Sequence, residues 1–155
     1  MFLTSLRACV AIGDRRNEAY VRANLSTLQV RQGRTHEARE NLSAALSVAS
    51  AIGDKRLEGY VHGRLAMVLA IEGALDEALQ SLDRGEPLLR EIRSPELLAE
   101  LLAVRAQLAW RTGRQEQARA ALAEAEATAP PGNPECHEAI AAARREIDEG
   151  ATRTT

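Results

Sequence analysis

Apolar residues recur along this chain at the spacing of a helix. Val21, Leu25 and Leu28 step by four and then three, and Val61, Leu65 and Val68 repeat the step forty positions later. Each segment therefore predicts a helix with one packing stripe. In the same columns of a third segment stand Leu101, Arg105 and Leu108. The arginine is expected to lay its stem on the core and carry its guanidinium to water. A second helix follows each first one, with its own stripe, as in Leu75, Ala78, Leu79 and Leu82.

The spacing of forty is kept without a gap. It aligns Ile12, Ile52 and Ile92, then Gly33, Gly73 and Gly113, then Ala38, Ala78 and Ala118, then Leu42, Leu82 and Leu122. Three units of equal length and shape are the mark of a stacked repeat. In Gly13-Asp14 and Gly53-Asp54 the glycine suits the left-handed residue that closes a helix, and the aspartate can cap the next. The third copy reads Ser94-Pro95-Glu96, a serine cap followed by a proline and an acid in the first turn. Gly85-Glu86-Pro87 predicts a kink or break in the second unit.

These signals predict an all-α, helical-hairpin solenoid forming one domain over residues 1–150. Residues 1–12 form a partial unit, either part of a longer array or a lone helix at one end. Residues 13–52, 53–92 and 93–131 are the repeats. Pro130-Pro131-Gly132 stops the last unit, and residues 133–149 form a capping helix whose narrow stripe is Cys136, Ile140, Ala143 and Ile147. Residues 151–155 are expected to be a disordered tail.

Composition narrows the function more than the fold. Aromatic residues are only 3% of the chain, and helix formers dominate. The net charge of −2 supplies no field for nucleic acid or an anionic membrane. Lys55 is the only lysine, a bias toward arginine that fits a GC-rich bacterial gene. Cys9 and Cys136 lie in no metal-ligand spacing and read as small buried side chains. No run approaches the roughly 18 to 20 apolar residues of a membrane span, so the expected location is the cytoplasm. His36, His62 and His137 lie far apart and recur with no Ser, Cys or carboxylate constellation at helical spacing, and the phosphate-loop, zinc-protease and hydrolase motifs are missing. Neither an enzyme nor a cofactor is expected, and His62, in a packing column, is expected to be structural.

The paired helices, closing glycines and small residues at fixed offsets resemble the tetratricopeptide repeat family, in the forty-residue form found in bacterial signalling proteins and kinesin light chains rather than the usual unit of about 34. The likeness covers residues 11 to 130. It rests on the Gly-x₄-Ala-x₃-Leu core present in all three copies, with the family leucine at Leu25 and Leu65 and its closing proline at Pro130. The family's tryptophan column holds Arg22, His62 and Leu102, and its tyrosine column Gln29, Leu69 and Ala109. The resemblance implies a right-handed superhelix whose first helices line a concave groove for a peptide or partner helix.

By the same resemblance, Tyr20, Asn24, Thr27 and Arg31 would face the groove from the first unit, and Tyr60, Arg64, Met67 and Ile71 from the second. Glu100, Gln107, Trp110 and Arg111 would do so from the third. Tyr20 and Tyr60 suit either a binding surface or burial against a neighbouring helix. Trp110 could plug the groove or cover the capping helix. The small residues Ala19, Gly59 and Ala99, with Ala23, Gly63 and Ala103, would bring helices close or leave room for ligand. Arg16, Arg31, Arg56, Arg64 and Arg111 outnumber Glu96 and Glu100, so a positive groove and an acidic ligand are expected. The partner is thus a protein or peptide, with no nucleic acid and no membrane. The alternative is a homodimer formed through the apolar face of residues 1–12.

Overall fold

The structure is a computed structural model that describes residues 2–153. The described residues form eight helices and no strand: α1 (Phe2–Ile12), α2 (Arg15–Arg31), α3 (Thr35–Ile52), α4 (Lys55–Ile71), α5 (Leu75–Glu91), α6 (Pro95–Arg111), α7 (Gln115–Thr128) and α8 (Pro134–Arg153). Sequence neighbours pack in order, and first helices also pack on one another, α2 on α4, α4 on α6 and α6 on α8. This is an all-α helical repeat. α8 occupies the place of a fourth first helix, and α1 packs on α2 as α3 does on α4.

Glycine sets the corners. Gly13 and Gly53 take left-handed φ angles of 72° and 68°, and Gly33, Gly73 and Gly113 take 74°, 81° and 76°. An L side chain disfavours this region by roughly 1–2 kcal/mol. Asp14 and Asp54 then accept the backbone N–H groups of Asn17 and Leu57 at 3.1 and 3.0 Å, and Asn133 accepts that of Cys136 at 3.2 Å. The third corner differs from expectation. Arg93 holds the left-handed position at φ 53°, and Ser94 makes no side-chain cap bond. Its hydroxyl instead accepts Arg56 of the preceding unit at 3.0 Å.

The break expected at Gly85-Glu86-Pro87 does not occur, because α5 runs unbroken through Pro87. Pro87 and Asp83, whose carbonyl loses its helical partner, are both exposed, so water can hydrate the freed oxygen. Gly85 faces inward, where a Cβ would stand 2.7 Å from His62 Cβ and 3.3 Å from the Gly59 carbonyl. α4 and α5 therefore meet closely only because this position has no side chain. The tail expectation also changes: Ala151, Thr152 and Arg153 continue α8, whose Gly150 is packed against the Trp110 ring. Residues 154 and 155 lie outside the described residues.

Two apolar clusters fill the interior. One joins α2, α3 and the near side of α4, around Ala19, Leu42, Leu57 and Val61. The other runs from α4 to α8, around Leu82, Leu89, Leu101 and Ile140. Leu65 packs against both. Leu42 and Leu82 are fully buried in the same repeat column, each contributing roughly 1.5–3 kcal/mol. Arg105 does not send its guanidinium freely to water. It pairs with Asp83 and Glu86 of α5 at 2.8 and 3.0 Å, while its buried Nε has no partner, so it ties α6 to α5.

Candidate functional site

A hairpin repeat exposes its first helices on one side, and here α2, α4, α6 and α8 line a trough on that side. It contains two adjoining cavities of about 520 and 580 Å³ that share Thr27, Arg31, Tyr60, Arg64, Leu97 and Glu135. Tyr20, Asn24, Leu28 and Arg56 complete the first, and Met67, Ile71, Val104 and Gln107 lie in the second. α8 contributes Glu138, Ala139 and Ala142. The size suits a bound segment of a few side chains.

Ten of the twelve residues named for a groove line these cavities: Tyr20, Asn24, Thr27, Arg31, Tyr60, Arg64, Met67, Ile71, Glu100 and Gln107. Trp110 and Arg111 do not line them. Because α8 covers the end of α6, Trp110 packs on Gly150, where an added Cβ would meet the indole Cε2 at 2.8 Å. Arg111 is held by Glu146, its Nη2 donating at 3.0 Å. Reading residues 133–149 as a cap alone missed Glu135 and Glu138. The available signal was Asn133-Pro134-Glu135, which repeats the start of α6 thirty-nine residues on.

Tyr20 and Tyr60 are half-buried and stand in the trough wall. The Tyr60 hydroxyl donates to Asn24 Oδ1 at 3.3 Å, leaving the Asn24 amide N–H groups for another acceptor. The Arg64 guanidinium lies 5.1 Å from the Tyr60 ring centre, and Arg16 lies 5.9 Å from that of Tyr20, both within cation–π range. The two alanine-or-glycine columns serve both purposes considered for them. At Gly59 an added Cβ would strike Leu89 Cδ2 at 2.5 Å, whereas at Gly63 it would meet nothing within 4 Å. Gly59 allows close approach and Gly63 leaves the trough floor open.

The positive groove expected from counting arginines is not what the geometry gives. Arg16 pairs with Asp54 at 2.8 Å, Arg56 with Glu96 at 2.6 Å, and Arg111 with Glu146. Among the described residues only Arg31 and Arg64 of the five carry no ion pair. Across the trough stand Glu100, Glu135 and Glu138, none of them ion-paired to a described residue. Burial, with Glu135 and Glu96 nearby, holds the Glu100 carboxyl above its ordinary range, and the Arg64 charge offsets part of this. The trough is therefore bipolar, cationic on the α2–α4 wall and anionic on the α6–α8 wall.

The remaining chemistry is subdued. Cys136 is fully buried, its thiol donates to the Glu96 carbonyl at 3.0 Å, and burial followed by the Glu100 charge pushes its pKa up to about 11. Such a thiol is protonated and unreactive near neutrality. His62 points away from the trough into α5. Ser81 donates to the His62 carbonyl at 3.0 Å, so its oxygen is free to accept His62 Nδ1–H, also at 3.0 Å. Burial lowers the pKa of this imidazole. No group of three His, Cys, Asp or Glu among the described residues could hold a metal ion. No described helix is long and apolar enough to cross a membrane. No protein-family model matches the chain, and no curated protein matches it.

Proposed function

We propose that this chain is a protein-interaction module that holds a peptide or partner helix in its trough. On this reading the stack is a right-handed solenoid of the tetratricopeptide type. It serves as the binding part of a larger bacterial signalling or regulatory protein in the cytoplasm, without catalysis or cofactor. The observation that carries the reading is Gly63. A glycine in a helix interior costs about 1 kcal/mol relative to alanine, yet no neighbour requires its small size. It makes sense as space for an occupant between Tyr60, Arg64 and Met67. Half-exposed Met67 and Ile71 (43% and 56%) give that occupant apolar surface, and the ordered helices spare the module a loss of freedom on binding.

The test uses dodecapeptides selected from a display library on the wild-type chain and measured by fluorescence anisotropy. Gly63→Phe fills the floor and is expected to weaken them on the order of tenfold or more, with helix content unchanged. Equal binding by both proteins would refute the reading. A second reading, self-association, is favoured by Leu3, Val10 and Ile12 of α1, which are 62%, 53% and 77% exposed. It predicts a dimer in light scattering that Leu3→Ser, Val10→Ser dissociates. A monomeric wild-type chain removes it.

A further inference from the structure

Resting on that reading, we infer that the occupant carries both charges, an acidic side chain toward α2–α4 and a basic one toward α6–α8, flanking an apolar anchor. Three observations support this. First, the charges of the trough are segregated by wall: Arg31 and Arg64 on one side, Glu100, Glu135 and Glu138 on the other, with both signs bordering each cavity or the pair. Second, the arginines that would have spread positive charge further are already neutralised within the stack by Asp54, Glu96 and Glu146. Third, Glu100 is half-buried beside Val104 and Leu101 on the floor. Among the described residues it forms no ion pair, and it accepts one long hydrogen bond, from the Cys136 thiol of α8 at 3.8 Å, weaker than a charge-assisted bond from a cation. An incoming ammonium or guanidinium supplies the ionic partner this carboxylate lacks.

A uniformly acidic segment would bring like charge onto the α6–α8 wall, which costs binding rather than adding to it. A uniformly basic one meets the same objection at Arg31 and Arg64. The apolar anchor belongs between the walls, over Met67, Ile71 and the open Gly63 floor. The trough thus fixes the direction of its occupant as well as its composition.

The experiment pans a random dodecapeptide display library on three proteins: wild type, Glu135→Lys with Glu138→Lys, and Arg31→Glu with Arg64→Glu. Wild type is expected to enrich peptides with an apolar core between one basic and one acidic residue. The Glu→Lys protein should abandon the basic requirement and the Arg→Glu protein the acidic one. Each wild-type peptide should weaken on the order of tenfold on either variant. If lysine disturbs α8, Glu135→Gln with Glu138→Gln provides the same comparison by neutralisation. Enriched peptides of a single charge sign that Gly63→Phe still blocks would overturn this inference and leave the trough reading standing. Failure of any peptide to enrich, or equal binding by Gly63→Phe, overturns both.

Discussion

One substitution, glycine to alanine, should have opposite signs at two sites on facing helices. At Gly63 a new Cβ meets nothing within 4 Å, so the helix gains the full propensity difference, about 1 kcal/mol. For a chain of this length that raises the melting temperature by roughly 2–4 °C. At Gly85 the same gain is opposed. The Cβ would lie 2.7 Å from His62 Cβ, 3.1 Å from Leu101 Cδ1 and 3.3 Å from the Gly59 carbonyl. His62 Cβ and the carbonyl belong to the α4 backbone and its immediate branch, so neither can swing aside and α4 must move from α5. Overpacking of this kind costs typically 1–3 kcal/mol, which cancels the gain or exceeds it and leaves Gly85→Ala up to about 2 kcal/mol less stable than wild type. Urea titration followed by far-ultraviolet circular dichroism measures both, with equal slopes required before midpoints are compared. A Gly85→Ala protein stabilised as much as Gly63→Ala would show that α4 and α5 are not in this close contact.

Arg93→Gly relieves the only left-handed non-glycine residue among those described and should add about 1 kcal/mol, read as a higher urea midpoint. Burial lowers the pKa of His62 in the folded state, whereas the unfolded chain takes up a proton below about pH 6.5. Stability therefore falls as pH drops from 7 toward 5, and His62→Gln should flatten that slope even though it lowers stability at pH 7; an unchanged slope would refute the assignment. Glu100 has the opposite sign, because its folded pKa lies above the ordinary 4.5, so its unfavourable charged form is relieved as pH falls. Glu100→Gln should raise the melting temperature at pH 7, by an amount that shrinks toward pH 4.5, and a gain that does not depend on pH would count against a desolvated carboxylate.

Much of the architecture is legible because the corners are local. A glycine that must be left-handed and an aspartate that must cap leave their mark within two or three residues, and Gly13-Asp14 and Gly53-Asp54 do so. The features that escaped the sequence depend on contacts between units. Ser94 has the right chemistry for a cap, but its hydroxyl is taken by Arg56 from thirty-eight residues away. Pro87 has the chemistry of a break, but it faces solvent, where the missing bond is tolerated. The charge of the trough is hidden from the sequence for the same reason, since three of the five arginines expected there are paired across units. The narrow stripe of α8 suits a capping helix at the end of the stack. Its packing on α6 instead extends the row of first helices and gives the trough its acidic wall.

The columns of the repeat divide by where they point. Ala38, Ala78 and Ala118 are identical and fully buried, and Ala19, Gly59 and Ala99 are all small and buried. Stacking equal hairpins demands equal inner surfaces, because a change of volume in one unit displaces its neighbour. The columns over the trough do the reverse: Tyr20, Tyr60 and Glu100; Asn24, Arg64 and Val104; Thr27, Met67 and Gln107; Arg31 and Ile71, whose third member Arg111 is drawn out of the trough by Glu146. Apart from Val104, which is buried in the core, packing constrains those positions little, so their divergence costs the stack little and produces a surface that differs from one end to the other. A trough lined by three copies of one helix face would offer an occupant three equivalent registers. Unequal faces, with cations on the early helices and carboxylates on the late ones, leave a charged segment one register and one direction. On the proposed reading, the repeat supplies the shape, and the places where the copies disagree supply the selectivity.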